Sequence, residues 1–156
     1  MNFEHLVVVN DPANPLVNPL TREEVWFGLL CRVLDSRPFL PGLEACSILE
    51  RSETEFLREL NFGNCVIRDR VTVQPMDWVR FESERTESHA GGTLTIGIEE
   101  PAPETMVLRF TYRTTLSEQA GGDDVAYAEF VKSAYHASDL DTLRVIRMIA
   151  ESSRLH

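Results

Sequence analysis

The chain has 156 residues, 43% of them hydrophobic and 26% charged, the size and balance of one ordinary globular domain rather than a disordered segment. Twenty-five acidic residues against 15 basic ones give a net charge of -10. That charge repels phosphate backbones and anionic bilayers, so neither nucleic acid nor a membrane surface is an expected partner.

Phe3 to Asn10 alternates loosely and is rich in valine, which predicts a strand. Asp11 to Pro19 holds three prolines and three Asn or Asp residues, which marks a loop. A helix follows. Thr21 as N-cap with Glu24 three residues on makes a capping box, and Leu20 and Val25 are spaced for a hydrophobic staple. Val25, Trp26, Leu29, Leu30, Val33 and Leu34 form its apolar face. Two prolines and a glycine in Ser36 to Gly42 end it.

From Leu43 to Leu116 the pattern is strand after strand, over 43–52, 55–62, 65–74, 78–87, 92–99 and 106–116. The punctuation is Gly63-Asn64, Pro75 to Asp77, Ser88 to Gly91 and Glu99 to Thr105. Short strands with short turns predict an antiparallel meander. Gly121 to Asp124 reads as a turn. From about Asp124 to Ser152 the chain is helical, with Val125, Ala128, Val131, Ala134 and Tyr135 on one side and Leu143, Val145, Ile146 and Ile149 further on. Ser138 or Asp139 is placed to recap it, which would kink the helix near His136. With no repeats or linkers, residues 1–156 are expected to form a single α+β domain. About seven antiparallel strands would curl around the long C-terminal helix, with a helical insert after the first strand and an internal pocket.

The longest apolar run near the N-terminus, Leu6 to Val9, is far short of the roughly 20 residues of a membrane span. It also lacks the basic start of a signal peptide. Cys31, Cys46 and Cys65 are odd in number and widely spaced, as expected of reduced thiols in a cytoplasmic protein. Neither they nor the scattered His5, His89, His136 and His156 make a metal cluster. No phosphate loop or nucleophile elbow is present, and no metal or cofactor is expected.

The two-residue turn Gly63-Asn64 sets a hairpin register. It puts Phe62 opposite Cys65, Leu60 opposite Ile67, Arg58 opposite Asp69 and Phe56 opposite Val71, all on one face because side chains alternate. That face is the apolar one and must point inward, so Arg58 and Asp69 form an inward ion pair. Pairing Val73 with Val79 adds Phe81 beside Val71, Ser83 beside Asp69 and Arg85 beside Ile67. Phe81, Ser83 and Arg85 then meet Ile98, Ile96 and Leu94, which meet Met106, Leu108 and Phe110, with Tyr112 next on the same face. The expected site is an apolar wall that includes Phe56, Phe81 and Phe110, with a polar end of Arg58, Asp69, Ser83, Arg85 and Tyr112.

Two readings of that polar end stand side by side. It is a structural ion pair that fixes register, or it is an anchor for a mostly apolar ligand. Two arginines against one aspartate leave a positive charge that a ligand carboxylate or phenolate could meet. Tyr135 or His136 on the C-terminal helix could face the pocket, though a lone helical histidine is more often a packing or surface residue.

Val8-Val9-Asn10-Asp11-Pro12, Leu20 to Trp26, Phe39-Leu40-Pro41-Gly42, Phe56 to Glu59, Val66 to Val71 and Asp141 to Arg147 resemble the AtaL-like family of unknown function. That family lies within the helix-grip superfamily of START domains, pollen-allergen-type proteins and polyketide cyclases. The resemblance covers nearly the whole chain. It implies a deep pocket between the sheet and the C-terminal helix, and no settled activity.

Three functional expectations follow. The first is a binding protein for a small apolar or aromatic ligand, with Arg58 and Arg85 as anchors. The second is a cyclase or dehydratase in which Asp69, or Tyr112 with an arginine, does the proton work. The third is an interaction domain with a filled interior, for which an edge strand or the N-terminal region leaves a homodimer open.

Overall fold

A computed structural model describes residues 2–85, 91–114 and 123–155, with the backbone alone for 123–128. The expected turns at Ser88 to Ala90 and at Gly121-Gly122, the strand ends at 86–87 and 115–116, and the histidines at 89 and 156 lie outside the described residues. So do the side chains of Val125 and Ala128.

The elements are β1 (Asn2–Asn10), α1 (Arg22–Leu34), β2 (Ala45–Arg51), β3 (Glu55–Asn61), β4 (Val66–Gln74), β5 (Trp78–Ser83), β6 (Gly92–Ala102), β7 (Thr105–Thr114) and α2 (Asp123–Arg154). The strands form one antiparallel sheet in the order β1-β7-β6-β5-β4-β3-β2. Strands β2 to β7 follow the chain as a meander, and β1 closes on β7. The curved sheet holds α2, with α1 between β1 and β2, as expected. No helix among the described residues is long and apolar enough to cross a membrane.

Local chemistry explains the entry to α1. The Thr21 hydroxyl accepts from the Glu24 backbone N–H at 3.0 Å, and Glu24 Oε1 accepts from the Thr21 N–H at 2.9 Å. Both orphan ends of the first turn are thereby satisfied. Leu20 and Val25 are buried as a staple. The proline-rich loop before the helix is clamped by Asn10, whose side chain donates to the Leu20 carbonyl at 2.8 Å and accepts from its N–H at 2.9 Å. On α1 the residues Val25, Leu29 and Val33 are fully buried. Each such side chain contributes about 1.5–3 kcal/mol of transfer free energy. Leu34 is exposed instead.

Helix α1 crosses α2 closely at Gly28, where a Cβ would lie 2.7 Å from Ile146 Cγ1. Helix α2 runs unbroken past His136. Asp139 does not recap it, because its carboxylate is turned into the interior, as described below.

The first hairpin has the expected register. The Phe62 N–H donates to the Cys65 carbonyl at 2.9 Å, and Arg58 faces Asp69 with Phe56 facing Val71. The next holds as far as Ser83 opposite Asp69. There β5 ends, so Arg85 never reaches Ile67. Beyond it the expected pairings slip. Phe81 faces Leu94 and Ile96 faces Phe110, shifts of four and two residues. Both shifts are even, so every inner side chain stays on the inner face. Strands β6 and β7 also run further than expected, to a tight turn at Pro103-Glu104 with Ala102 facing Thr105. At the other end Gly92 has φ +137°, and a Cβ there would overlap the Arg113 carbonyl. A glycine is therefore needed where β6 starts.

Candidate functional site

A cavity of about 200 Å³ lies between the inner face of the sheet, the end of α1 and the middle of α2. Leu60, Ile67, Phe81 and Leu94 supply apolar wall from the strands. The polar end combines Arg58, Asp69 and Ser83 from the sheet with Arg32 and Ser36 from α1 and the turn after it. Tyr112, Tyr135 and Ser138 line the α2 side.

Arg58 is 1% exposed and Asp69 is 3%. The pair is bidentate, with Arg58 Nε to Oδ1 at 2.8 Å and Nη2 to Oδ2 at 2.6 Å. The third nitrogen, Nη1, donates to the Val33 carbonyl at 2.9 Å, the Arg32 carbonyl at 3.2 Å and Ser36 Oγ at 2.8 Å. Arg58 thus caps the free carbonyls at the end of α1, where the helix dipole favours a cation. Its charge and its donors are met by the protein itself.

Arg32 is different. It is 6% exposed, and among the described residues no carboxylate lies within 4.0 Å of it. Nη1 donates to Thr142 Oγ1 on α2 at 2.6 Å, and the guanidinium carbon sits 5.2 Å from the Phe81 ring centre. Its Nε is buried with no hydrogen-bond acceptor. The nearby carboxylates are engaged elsewhere, Asp69 with Arg58 and Asp139 with Tyr112 and His5. Burial, aided by the nearby Arg58 charge, pulls the Arg32 pKa below the usual guanidinium value, ahead of the opposing influence of Tyr112, Asp139 and Asp69.

The second polar chain starts at Tyr112. Its hydroxyl donates to Asp139 Oδ1. Oδ2 of the same carboxylate meets His5 Nδ1 at 2.7 Å. Asp139 is fully buried and the His5 side chain is 15% exposed. Burial, ahead of the hydrogen bonds from Tyr112 and His5, raises the Asp139 carboxyl above its usual range. Burial and then the Asp139 carboxylate push the Tyr112 hydroxyl far above a normal phenol. Tyr112 stacks on Tyr135 at 4.4 Å and on Phe3 at 4.9 Å, and His136 meets His5 edge-on at 4.8 Å.

Of the residues expected at the site, Arg58, Asp69, Ser83, Phe81 and Tyr112 line the cavity. Phe56 and Phe110 are buried in the core away from it. Arg85 is exposed past the end of β5 and is not part of the lining. Sequence reasoning missed Arg32, Ser36 and the His5–Asp139 contact. A signal for the first two existed. Val25, Leu29, Arg32 and Ser36 fall at i, i+4, i+7 and i+11, one stripe of the helical period. Among the described residues no group of three His, Cys, Asp or Glu side chains is placed to hold a metal ion.

The family model described as acetylaranotin biosynthesis cluster protein L, AtaL, matches residues 7–153. The chain belongs to the AtaL family. No curated protein sequence matches this AtaL-family chain. Among solved structures, the ZhuI aromatase/cyclase from Streptomyces sp. R1128 is similar with a TM-score of 0.61 and 18% identity, over 97% of this chain and 93% of that one. The di-domain ARO/CYC StfQ from the steffimycin biosynthetic pathway has a TM-score of 0.69 and 15% identity. It covers 99% of this chain, which spans 52% of StfQ. Human STARD10 has a TM-score of 0.64 and 7% identity over 99% of this chain and 66% of its own. At these identities the shared feature is the helix-grip fold, and function is argued from the site.

Proposed function

We propose that this AtaL-family protein binds a small lipophilic or aromatic molecule in the cavity between the sheet and α2. The observation that carries this reading is the cavity of about 200 Å³ whose apolar wall ends in buried polar groups, the usual character of a small-molecule site. Likeness in fold to aromatase/cyclases and to STARD10 supports it. Cys31, Cys46 and Cys65 are free thiols, which supports a cytoplasmic setting. Native mass spectrometry of the purified protein, with a thermal-shift screen of aromatic and polyketone compounds, tests the binding. Stabilisation by at least one compound class is expected, lost on Leu94→Trp, which fills the cavity. A wild type that no class stabilises, and that carries no co-purified molecule, removes the reading.

A second reading is cyclase-type chemistry, favoured by the Tyr112–Asp139–His5 chain. Ring closure of a polyketone needs a proton taken from carbon and delivered to oxygen. Tyr112 oxygen could accept such a proton as its own hydrogen passes to Asp139 Oδ1, whose proton affinity burial has raised. Both Asp69 oxygens are held by Arg58, so the acid–base role falls to Tyr112. Turnover of a polyketone that disappears in Tyr112→Phe while binding persists supports this reading. Binding without turnover in the wild type rejects it.

A further inference from the structure

Two arginines sit at the polar end of the cavity, and their guanidinium groups are used in opposite ways. Arg58 presents its Nε–Nη2 edge to Asp69 in a two-point contact. The same edge of Arg32 has no protein partner among the described residues, since its single hydrogen bond leaves from Nη1. That edge carries two parallel N–H donors whose spacing matches the two oxygens of a carboxylate. A buried guanidinium with an unmet charge is costly, and a neutral side chain would fill the space without that cost. The cost has a use if a ligand supplies the missing anion.

The surroundings favour a carboxylate on a flat apolar body. Arg32 lies against the Phe81 face, and Leu94, Leu60 and Ile67 continue the wall away from it. Arg58 donates to the Arg32 backbone carbonyl, and Thr142 holds Nη1. The backbone of Arg32 and the tip of its side chain are thus each held before any ligand arrives, which lowers the ordering cost of binding.

We infer that Arg32 is the anchor for the carboxylate of an aromatic or similarly flat lipophilic acid, bound through its Nε–Nη2 edge. This rests on the binding reading above and narrows it to a ligand class.

The test compares 2-naphthoate with its neutral isostere 2-naphthamide by isothermal titration. Wild type is expected to favour the acid by roughly tenfold or more, the size of one charge-assisted contact. Arg32→Met should bring the two affinities together by weakening the acid alone, and Arg32→Lys should restore part of the difference. In the wild type, the Arg32 Nε–H resonance should shift with naphthoate and stay in place with naphthamide. This arm needs no variant and decides the matter if Arg32→Met does not fold. Equal binding of acid and amide overturns the anchor and leaves cavity binding intact, as does an acid preference that survives Arg32→Met. If neither compound binds and no lipophilic probe stabilises the protein, the cavity reading falls and the anchor falls with it.

Discussion

Arg58 Nη1 donates to the backbone carbonyl of Arg32 at 3.2 Å, so one guanidinium holds the helix end that carries the other. The sheet's arginine is spent on structure, and the helix's arginine is left with charge to spare. Both guanidinium carbons also lie 5.2 Å from the centre of the Phe81 ring.

Arg58→Met should destabilise the fold by about 3–5 kcal/mol, the cost of stranding the buried Asp69 carboxylate and the α1 carbonyls. Asp69→Leu on top of it should recover part of that loss, since two apolar groups no longer leave a buried charge. Urea unfolding of the two variants checks this. A double variant weaker than the single one contradicts it.

Arg32→Met should act in the other direction. It removes a buried charge that no carboxylate pairs, at the expense of one hydrogen bond to Thr142. The ligand-free protein should gain about 1–2 kcal/mol, read as a higher urea midpoint at an unchanged slope. A lower midpoint would mean that Thr142 and Phe81 stabilise the guanidinium more than burial penalises it.

Gly28→Ala tests the crossing of the two helices. Alanine improves helix propensity by about 1 kcal/mol. Its Cβ, however, would lie 2.7 Å from Ile146 Cγ1 and 2.8 Å from Cγ2, and Ile146 is fully buried. Overpacking at a branched, buried side chain should win, with a net loss of about 1–3 kcal/mol. Ile146→Val in the same chain should relieve part of it, as thermal unfolding of the pair will show.

The α1–α2 contact also carries a pH dependence. Arg154 Nε and Nη2 meet both Glu24 oxygens, at 2.8 Å and 2.6 Å. The arginine hydrogen bond leads the causes that bring the Glu24 pKa from 4.5 down to about 2. A depressed folded pKa means that the folded state holds its proton less tightly than the unfolded chain. The resulting stability is fully present above about pH 4.5 and is lost as pH falls towards 2. Glu24→Gln keeps the capping box, because glutamine serves at that position, and removes the charge. A small loss of stability at neutral pH is expected, fading in about 1 M salt and absent at the acid end. Identical acid limbs for wild type and variant would contradict it.

The sheet was legible wherever a turn determines the pairing. Gly63-Asn64 is a two-residue turn, and Arg58 opposite Asp69 follows from it without further information. The connections after β5 and β6 set register weakly, which is why the expected pairings slipped by four and two residues. Alternation still assigned Ile96, Leu108 and Phe110 to the inner face, because an even slip leaves the pleat unchanged. Phe56 and Phe110 face inward as alternation predicts but lie in the core and not on the cavity wall, since periodicity gives a direction and says nothing of depth.

Arg85 failed for a different reason. The alternation was extended two residues beyond the point where β5 stops pairing. Arg32 was hidden by its own plausibility, as a basic residue in the last turn of a helix normally faces solvent and complements the dipole. The His5–Asp139 contact spans 134 positions, and nothing local signals it.

That last contact has a consequence for synthesis. His5 belongs to the first strand, Tyr112 to the last, and Asp139 to the closing helix. While the chain emerges from the ribosome, β1 has no sheet partner until β7 has been made, and the wall carrying Tyr112 has no backing until α2 follows. Such distant pairings form late. The nascent meander therefore exposes Phe81 and Leu94 as an uncovered apolar surface until α2 has been made.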